Sequence, residues 1–316
     1  MAARLSASLV QCIVIGIALV ANQLLASESW VRLTTANFDL YSSLNKKQTS
    51  LVLNQLENAR TALEALRIGS GSGSQVRVIA FGSEREYARF RSSDASAAYY
   101  LRAGGQEYIV LGEELSGGGT PVVHEYVHHL LHQQYRHLPL WLDEGLAEVY
   151  STATQQAKGF RVGLPPQDRL DWLQMDKPAY DLATLFSIRR NSFDNTKHLT
   201  PRSRFYAESW LLVHMLRFSP AYTAQFRAFL NDVEAGAQPE AALLKNYGKT
   251  LSTVMADMQS YLKADRMPTE LIRINTPPAA VPVSASELQS AEWQAVLADL
   301  QSALNLPQQA SAAWAR

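Results

Sequence analysis

The sequence predicts an α+β fold: a small N-terminal mixed sheet with helices, followed by a mainly helical half. Three observations predict it. Short runs of alternating apolar and polar residues crowd the first third of the chain. Apolar residues then recur at helical spacing through the middle and end. Proline and glycine clusters punctuate the two regimes.

In chain order, Leu9 to Val20 are almost wholly apolar, follow Arg4, and lead into polar Ser27-Glu28-Ser29. A basic start, a short hydrophobic run and a small residue before a polar segment describe a secretory leader over residues 1–26. The run falls short of the ~20 residues of a comfortable membrane span, so an uncleaved anchor is the lesser alternative. Cys12 is the only cysteine, and cleavage near Ala26 leaves a mature chain with neither disulfide nor thiol chemistry. The chain is therefore expected to be exported, periplasmic or secreted, and to meet a membrane only through an uncleaved leader. The 29 basic side chains balance 29 acidic ones, so the bulk charge recruits neither nucleic acid nor an anionic surface.

Residues 27–265 form the expected main domain, split into an α+β part (27–115) and a helical part (116–265). Trp30 to Leu33 and Phe38 to Tyr41 read as strands. Lys46 to Leu66 reads as a helix with Leu56, Ala59, Leu63 and Leu66 on one face, ended by Gly69. Val76 to Phe81 is a strand, and Ser83 with Glu86 marks a short capped helix. Tyr108 to Leu111 is a further strand, read as an edge on which an extended peptide can pair. Thr120-Pro121 starts a helix to about Gln134, with Thr120 as cap. A second helix spans about Pro139 to Ala153, a third Arg204 to Phe218, and two or three more reach Arg266. Pro268, Pro277, Pro278 and Pro282 define an extended linker over 266–286. Residues 287–316 hold a last amphipathic helix with Trp293, Val296, Leu297, Leu300 and Leu304 on its stripe. Alone it is marginal in water, so it either docks on the main body or offers a surface for a protein partner.

The chemistry-bearing segment is His124-Glu125-Tyr126-Val127-His128. A spacing of four puts both imidazoles on one helix face, able to grip one metal ion, with Glu125 beside them as a base. A zinc site needs a third protein ligand and an open position. Trp141-Leu142-Asp143-Glu144-Gly145-Leu146-Ala147-Glu148 supplies it after a turn and a returning helix. Glu144 is the candidate, because the small Gly145 beside it permits close helix approach, and Asp143 is the competitor. Glu148, one turn on, is placed to hydrogen-bond the second nitrogen of a ligating histidine. His129, His132 and His137 read as solvated or supporting residues, and His214 as a packed helix residue.

These two motifs resemble the gluzincin metallopeptidases, the thermolysin-like group whose third ligand is a glutamate on the next helix. They most resemble the bacterial gluzincin-like domain of unassigned substrate, in which a Trp-Leu-x-Glu-Gly-Leu-Ala-Glu segment follows the histidine motif. The resemblance spans about Trp30 to Leu262 and is sharp only at the two motifs. It implies a zincin-like helical half and one zinc ion on His124, His128 and Glu144, with Glu125 as general base. It also implies that a tyrosine or histidine opposite the metal stabilises the oxyanion, and Tyr206 in Phe205-Tyr206-Ala207-Glu208-Ser209-Trp210 is the candidate. The expected activity is hydrolysis of a peptide or protein substrate by zinc-activated water. The alternatives are a zinc-containing binding or assembly module of the cell envelope without catalysis, and a zinc hydrolase of a non-peptide amide such as cell-wall material. Helical repeats of tetratricopeptide type follow the peptidase domain in similar proteins, and the last helix reads as a partial unit of that kind.

Overall fold

The computed structural model describes residues 29–69, 75–91, 97–115, 119–175, 180–193, 199–274 and 283–305. The leader expected over 1–26 lies outside them, as do His198 and Pro277, Pro278 and Pro282 of the expected linker. Among the described residues no helix is long and apolar enough to cross a membrane.

The N-terminal strands β1 (Val31–Thr34), β2 (Phe38–Ser42), β3 (Val76–Ala80), β4 (Ala98–Ala103) and β5 (Gln106–Leu111) join a sixth, β9 (Ser284–Glu287), in one mixed sheet. Its order is β4-β5-β3-β2-β1-β9, parallel at β2/β3 and β3/β5 and antiparallel at the other pairs. Strand alternation divides the side chains between two faces. Phe38, Leu40, Val76, Val78, Ala80, Ile109 and Leu111 enter the main core with α1 (Lys46–Ala65) and α3 (Thr120–Gln134). Tyr41, Ile79, Phe81, Tyr108 and Val110 form a smaller core on the opposite face. Helix α1 starts at a reciprocal cap in which the Asn45 side chain accepts from the Gln48 backbone and the Gln48 side chain reaches back. A short helix α2 (Glu84–Tyr87) follows β3 and is capped by Ser83.

The expected edge strand is corrected here. β5 lies inside the sheet between β4 and β3, and among the described residues the outermost strand on that side is β4. The two form a tight hairpin across Gly104 and Gly105, whose φ of 59° and 81° suit a turn that favours glycine at both central positions. The cap of α3 is also shifted, to Gly119, with Thr120 as the first helical residue.

Helix α4 (Leu140–Ser151) is the axis of the helical half, and residues Trp141 to Ser151 are all buried. It packs between α3 and α7 (Leu199–Phe218), and the helices α5 (Gln167–Gln174), α6 (Leu182–Ser187), α8 (Phe226–Glu234), α9 (Pro239–Tyr247) and α10 (Leu251–Leu262) complete the half. Strands β6 (Thr154–Gln156), β7 (Gly159–Val162) and β8 (Glu270–Arg273) form a separate antiparallel sheet. The proline-rich stretch thus carries a strand of one sheet at its start and a strand of the other at its end. Glu287, read as the first residue of the last helix, pairs with Val31 in the large sheet. The helix itself, α11 (Ser290–Asn305), docks on the smaller core. Trp293 stacks on Trp30 with ring centroids 5.7 Å apart, and Val296, Leu300 and Ala303 are buried. Docking supplies the apolar surface that a lone helix lacks.

His214 is the packed helix residue that the sequence suggests. It is fully buried on α7, with Nε2 2.8 Å from the Gly163 carbonyl, to which it donates, and Nδ1 2.8 Å from the Tyr261 hydroxyl. Burial pushes its pKa down to about 4, against a partial upward pull from the Gly163 carbonyl. Unfolding restores an ordinary imidazole near 6.5, so the unfolded chain takes up a proton that the folded one refuses. Stability from this group is complete above pH 6.5 and falls as the pH drops towards 4, by about 3 kcal/mol in total. Urea titrations of wild type and His214→Gln at pH 7 and pH 4.5 check this. The stability difference between the two proteins should shrink at the lower pH, and an unchanged difference contradicts it.

Candidate metal centre

Helix α3 turns His124 and His128 towards α4, four residues apart on one face. The returning helix brings Glu144 against them. His124 Nε2 and His128 Nε2 are 3.0 Å apart, and Glu144 Oε2 is 3.2 Å from the first and 3.3 Å from the second. A tetrahedral ion with Zn–N and Zn–O bonds near 2.0–2.1 Å holds its ligand atoms ~3.3 Å apart, so this triangle has the required size. Two imidazole nitrogens and a carboxylate oxygen suit a borderline-soft divalent cation. Bringing them together while buried is costly unless a cation is shared among them.

The close approach of the helices has a visible cause. A Cβ on Gly145 would sit 2.5 Å from Val213 Cγ2 and 2.6 Å from the Ser209 carbonyl oxygen, so only glycine lets α4 lie this near α7. The turn between α3 and α4 is fixed by Glu234 of α8, whose carboxylate accepts the backbone N–H groups of Arg136 and His137.

The far nitrogens of both histidines meet carboxylates. His128 Nδ1 lies 3.2 Å from Asp143 Oδ1, and His124 Nδ1 lies 3.5 Å from Glu148 Oε1. A proton held on His128 Nδ1 leaves its Nε2 lone pair aimed at the shared point. Glu148 stands on the His124 side in ion-pair contact rather than in the expected hydrogen bond, and Arg169 grips it with two guanidinium contacts of 2.8 and 2.7 Å. Asp143, the competing ligand, addresses the other side of His128 and also takes His132 Nε2 at 3.0 Å. Among the described residues two groups can therefore hold a metal ion: His124, His128 and Glu144, and His128, His132 and Asp143. In the second group both carboxylate oxygens of Asp143 already face imidazole nitrogens.

Electrostatics follow this wiring. Burial pushes the Glu144 carboxyl up, but the charge of His128 and hydrogen bonds from both histidines outweigh it and hold the group below the usual carboxylate range. Asp143 is likewise raised by burial and brought well below its ordinary value by His132 and His128. Burial lowers His128, yet Asp143 and Glu144 lift it well above an ordinary imidazole. Glu125 moves the other way. Burial pushes it up, His124 and His128 pull it down, and Glu144 adds to the upward push. The backbone of Tyr100 on β4 adds a further, smaller downward pull. Tyr206 faces His124 with ring centroids 6.4 Å apart, and burial and Glu144 raise its pKa, which keeps the hydroxyl protonated as a donor.

Of the two readings for His129 and His132, the supporting one fits: His129 is buried and His132 half-buried. His132 shares Asp143, while His129 is buried with Nδ1 3.2 Å from Glu107 Oε2, an ion-pair contact off the line of a good hydrogen bond. Glu107 of β5 also accepts the Tyr100 hydroxyl at 2.8 Å. Burial raises this carboxyl, but His129, Tyr100 and Arg102 together bring it down to about 2. His137 is exposed, as expected. Sequence reasoning missed Arg169 and Arg190, whose Nη2 lies 3.9 Å from Glu144 Oε1. Neither has a local signal, because each reaches the centre from a distant loop or short helix. No protein-family model matches the chain, and no curated protein matches it either.

Proposed function

We propose that the chain is an exported zinc metallopeptidase that hydrolyses peptide bonds with Glu125 as general base. The observation that carries this reading is the convergence of His124 Nε2, His128 Nε2 and Glu144 Oε2 within 3.3 Å of one another, beside a carboxyl group raised by burial. Zinc bound there supplies a Lewis acid that polarises a carbonyl and makes water acidic enough to react near neutral pH. His124 and His128 present neutral nitrogens, and Asp143 holds His128 in that tautomer. Glu125 accepts the proton of the attacking water and returns it to the leaving amine. Tyr206 donates a hydrogen bond to the oxygen on which negative charge develops. β4, the outermost strand among the described residues, rather than β5, offers the backbone groups on which an extended substrate lies. Export rests on the apolar leader of residues 1–26.

The test is digestion of a random peptide pool by zinc-loaded protein. Cleavage that a chelator removes and added zinc restores is the expected result. Stoichiometric zinc without cleavage of any peptide or denatured protein favours the non-catalytic assembly module. Cleavage of cell-wall amides alone favours the third reading.

A further inference from the structure

The rim of the centre carries a cation that the hydrolytic chemistry does not use. Arg190 opens the 3₁₀ turn Arg190–Phe193, and its side chain is 73% exposed. Its Nη2 nevertheless lies 3.9 Å from Glu144 Oε1, on a carboxylate only 4% exposed. Glu144 meets the histidine nitrogens through Oε2, so Arg190 approaches by the other oxygen. Its charge is also felt by Tyr206, Asp143 and Glu125. The guanidinium therefore reaches Glu144 from the side away from the two histidines.

The other arginines near the centre have structural work. Arg169 is held by Glu148 and Asp168. Arg204 pairs with Glu208 and donates to the Trp172 carbonyl. Arg189 donates to the carbonyls of Phe186 and Ile188. The buried acids are likewise matched: Asp143 by His128 and His132, Glu148 by Arg169, and Glu144 by the cation it would ligate. Arg190, by contrast, is solvent-facing and has only the long 3.9 Å contact to Glu144, so its charge is available to a substrate anion once a cation engages that carboxylate. A planar fork in that position suits a carboxylate, which it binds through two parallel hydrogen bonds.

We propose that Arg190 forms an anion subsite that selects substrates presenting a carboxylate next to the bond to be cleaved. The inference deepens the peptidase reading and rests on it for the nature of the substrate. Two sources offer the same chemistry: the α-carboxylate at a peptide C-terminus and an acidic side chain within it.

The experiment measures binding to zinc-loaded Glu125→Gln protein by fluorescence anisotropy. The probes are a random heptapeptide pool ending in free acid, the same pool ending in amide, and amide-capped pools bearing one glutamate or one glutamine. Acid over amide, or glutamate over glutamine, should be preferred about tenfold or more. Which pair shows the preference identifies the source. Adding Arg190→Gln should cut the preference to within about twofold, and Arg190→Lys should leave an intermediate value, since lysine lacks the fork. Equal binding of all four pools overturns the proposal, and so does a preference that survives Arg190→Gln. Loss of zinc on Arg190→Gln also overturns it, by making Arg190 a prop for Glu144. A preference found in a protein whose Glu125 form cleaves nothing rejects the peptidase reading and keeps the subsite. Cleavage without preference does the reverse.

Discussion

Glu125→Gln is expected to lower peptide turnover by about 10²–10⁴-fold while the protein keeps its zinc. Glutamine has the same shape, but it takes no proton from water. Glu125 is not among the converging atoms, so the triangle of His124, His128 and Glu144 stands without it. The same residue sets the acid limb of the pH–rate profile. A base works only when ionised, so activity falls as the pH drops through its pKa. Burial and Glu144 place that pKa above the ordinary carboxylate value, which moves the limb to higher pH. A bound cation opposes this shift by favouring the ionised form. Turnover and metal content measured on one preparation separate the two effects. Full activity in the variant removes Glu125 from the mechanism.

Glu144→Ala is the second large effect, and its readout is the metal. The change deletes the carboxylate of the triad and leaves two imidazole nitrogens 3.0 Å apart with no anion beside them. Zinc content should fall from one per chain to well below that after dialysis. Asp143→Asn should behave differently. Asp143 uses one oxygen for His128 and the other for His132, whereas an amide keeps one acceptor and carries no charge. His128 is then less firmly oriented, and zinc affinity should drop by about 10–100-fold without being abolished. Full zinc occupancy in Glu144→Ala, or loss confined to Asp143→Asn, would shift the ligand to the group built on His132 and Asp143.

Local chemistry made much of this centre legible. His124, Glu125 and His128 share one amphipathic helix, and the segment Asp143 to Glu148 shares the next, so spacing alone fixes which faces meet. The choice between Asp143 and Glu144 was less accessible. Both carboxylates reach His128, and one methylene decides which ring nitrogen each one touches. Strand β4 has no apolar–polar alternation over Ala98 to Ala103, so only the aromatic run Tyr99-Tyr100-Leu101 before Gly104-Gly105 signals a hairpin, and without it β5 looks like an edge. The pairing of β9 with β1 is a different case. Ser284 to Glu287 are wholly exposed small and polar residues without strand character, and what recruits them is an open sheet edge some 250 residues away. The docking of α11 on Trp30 likewise depends on a surface assembled from distant strands. Arg169 and Arg190 escaped notice for that same reason.

The most direct measurement of the central claim is an anomalous difference map, collected at the zinc edge from crystals of zinc-loaded protein. The account predicts one peak per chain within about 2.0–2.2 Å of His124 Nε2, His128 Nε2 and a Glu144 oxygen. A peak lodged instead between His132 and Asp143, or no peak near His124, would contradict it.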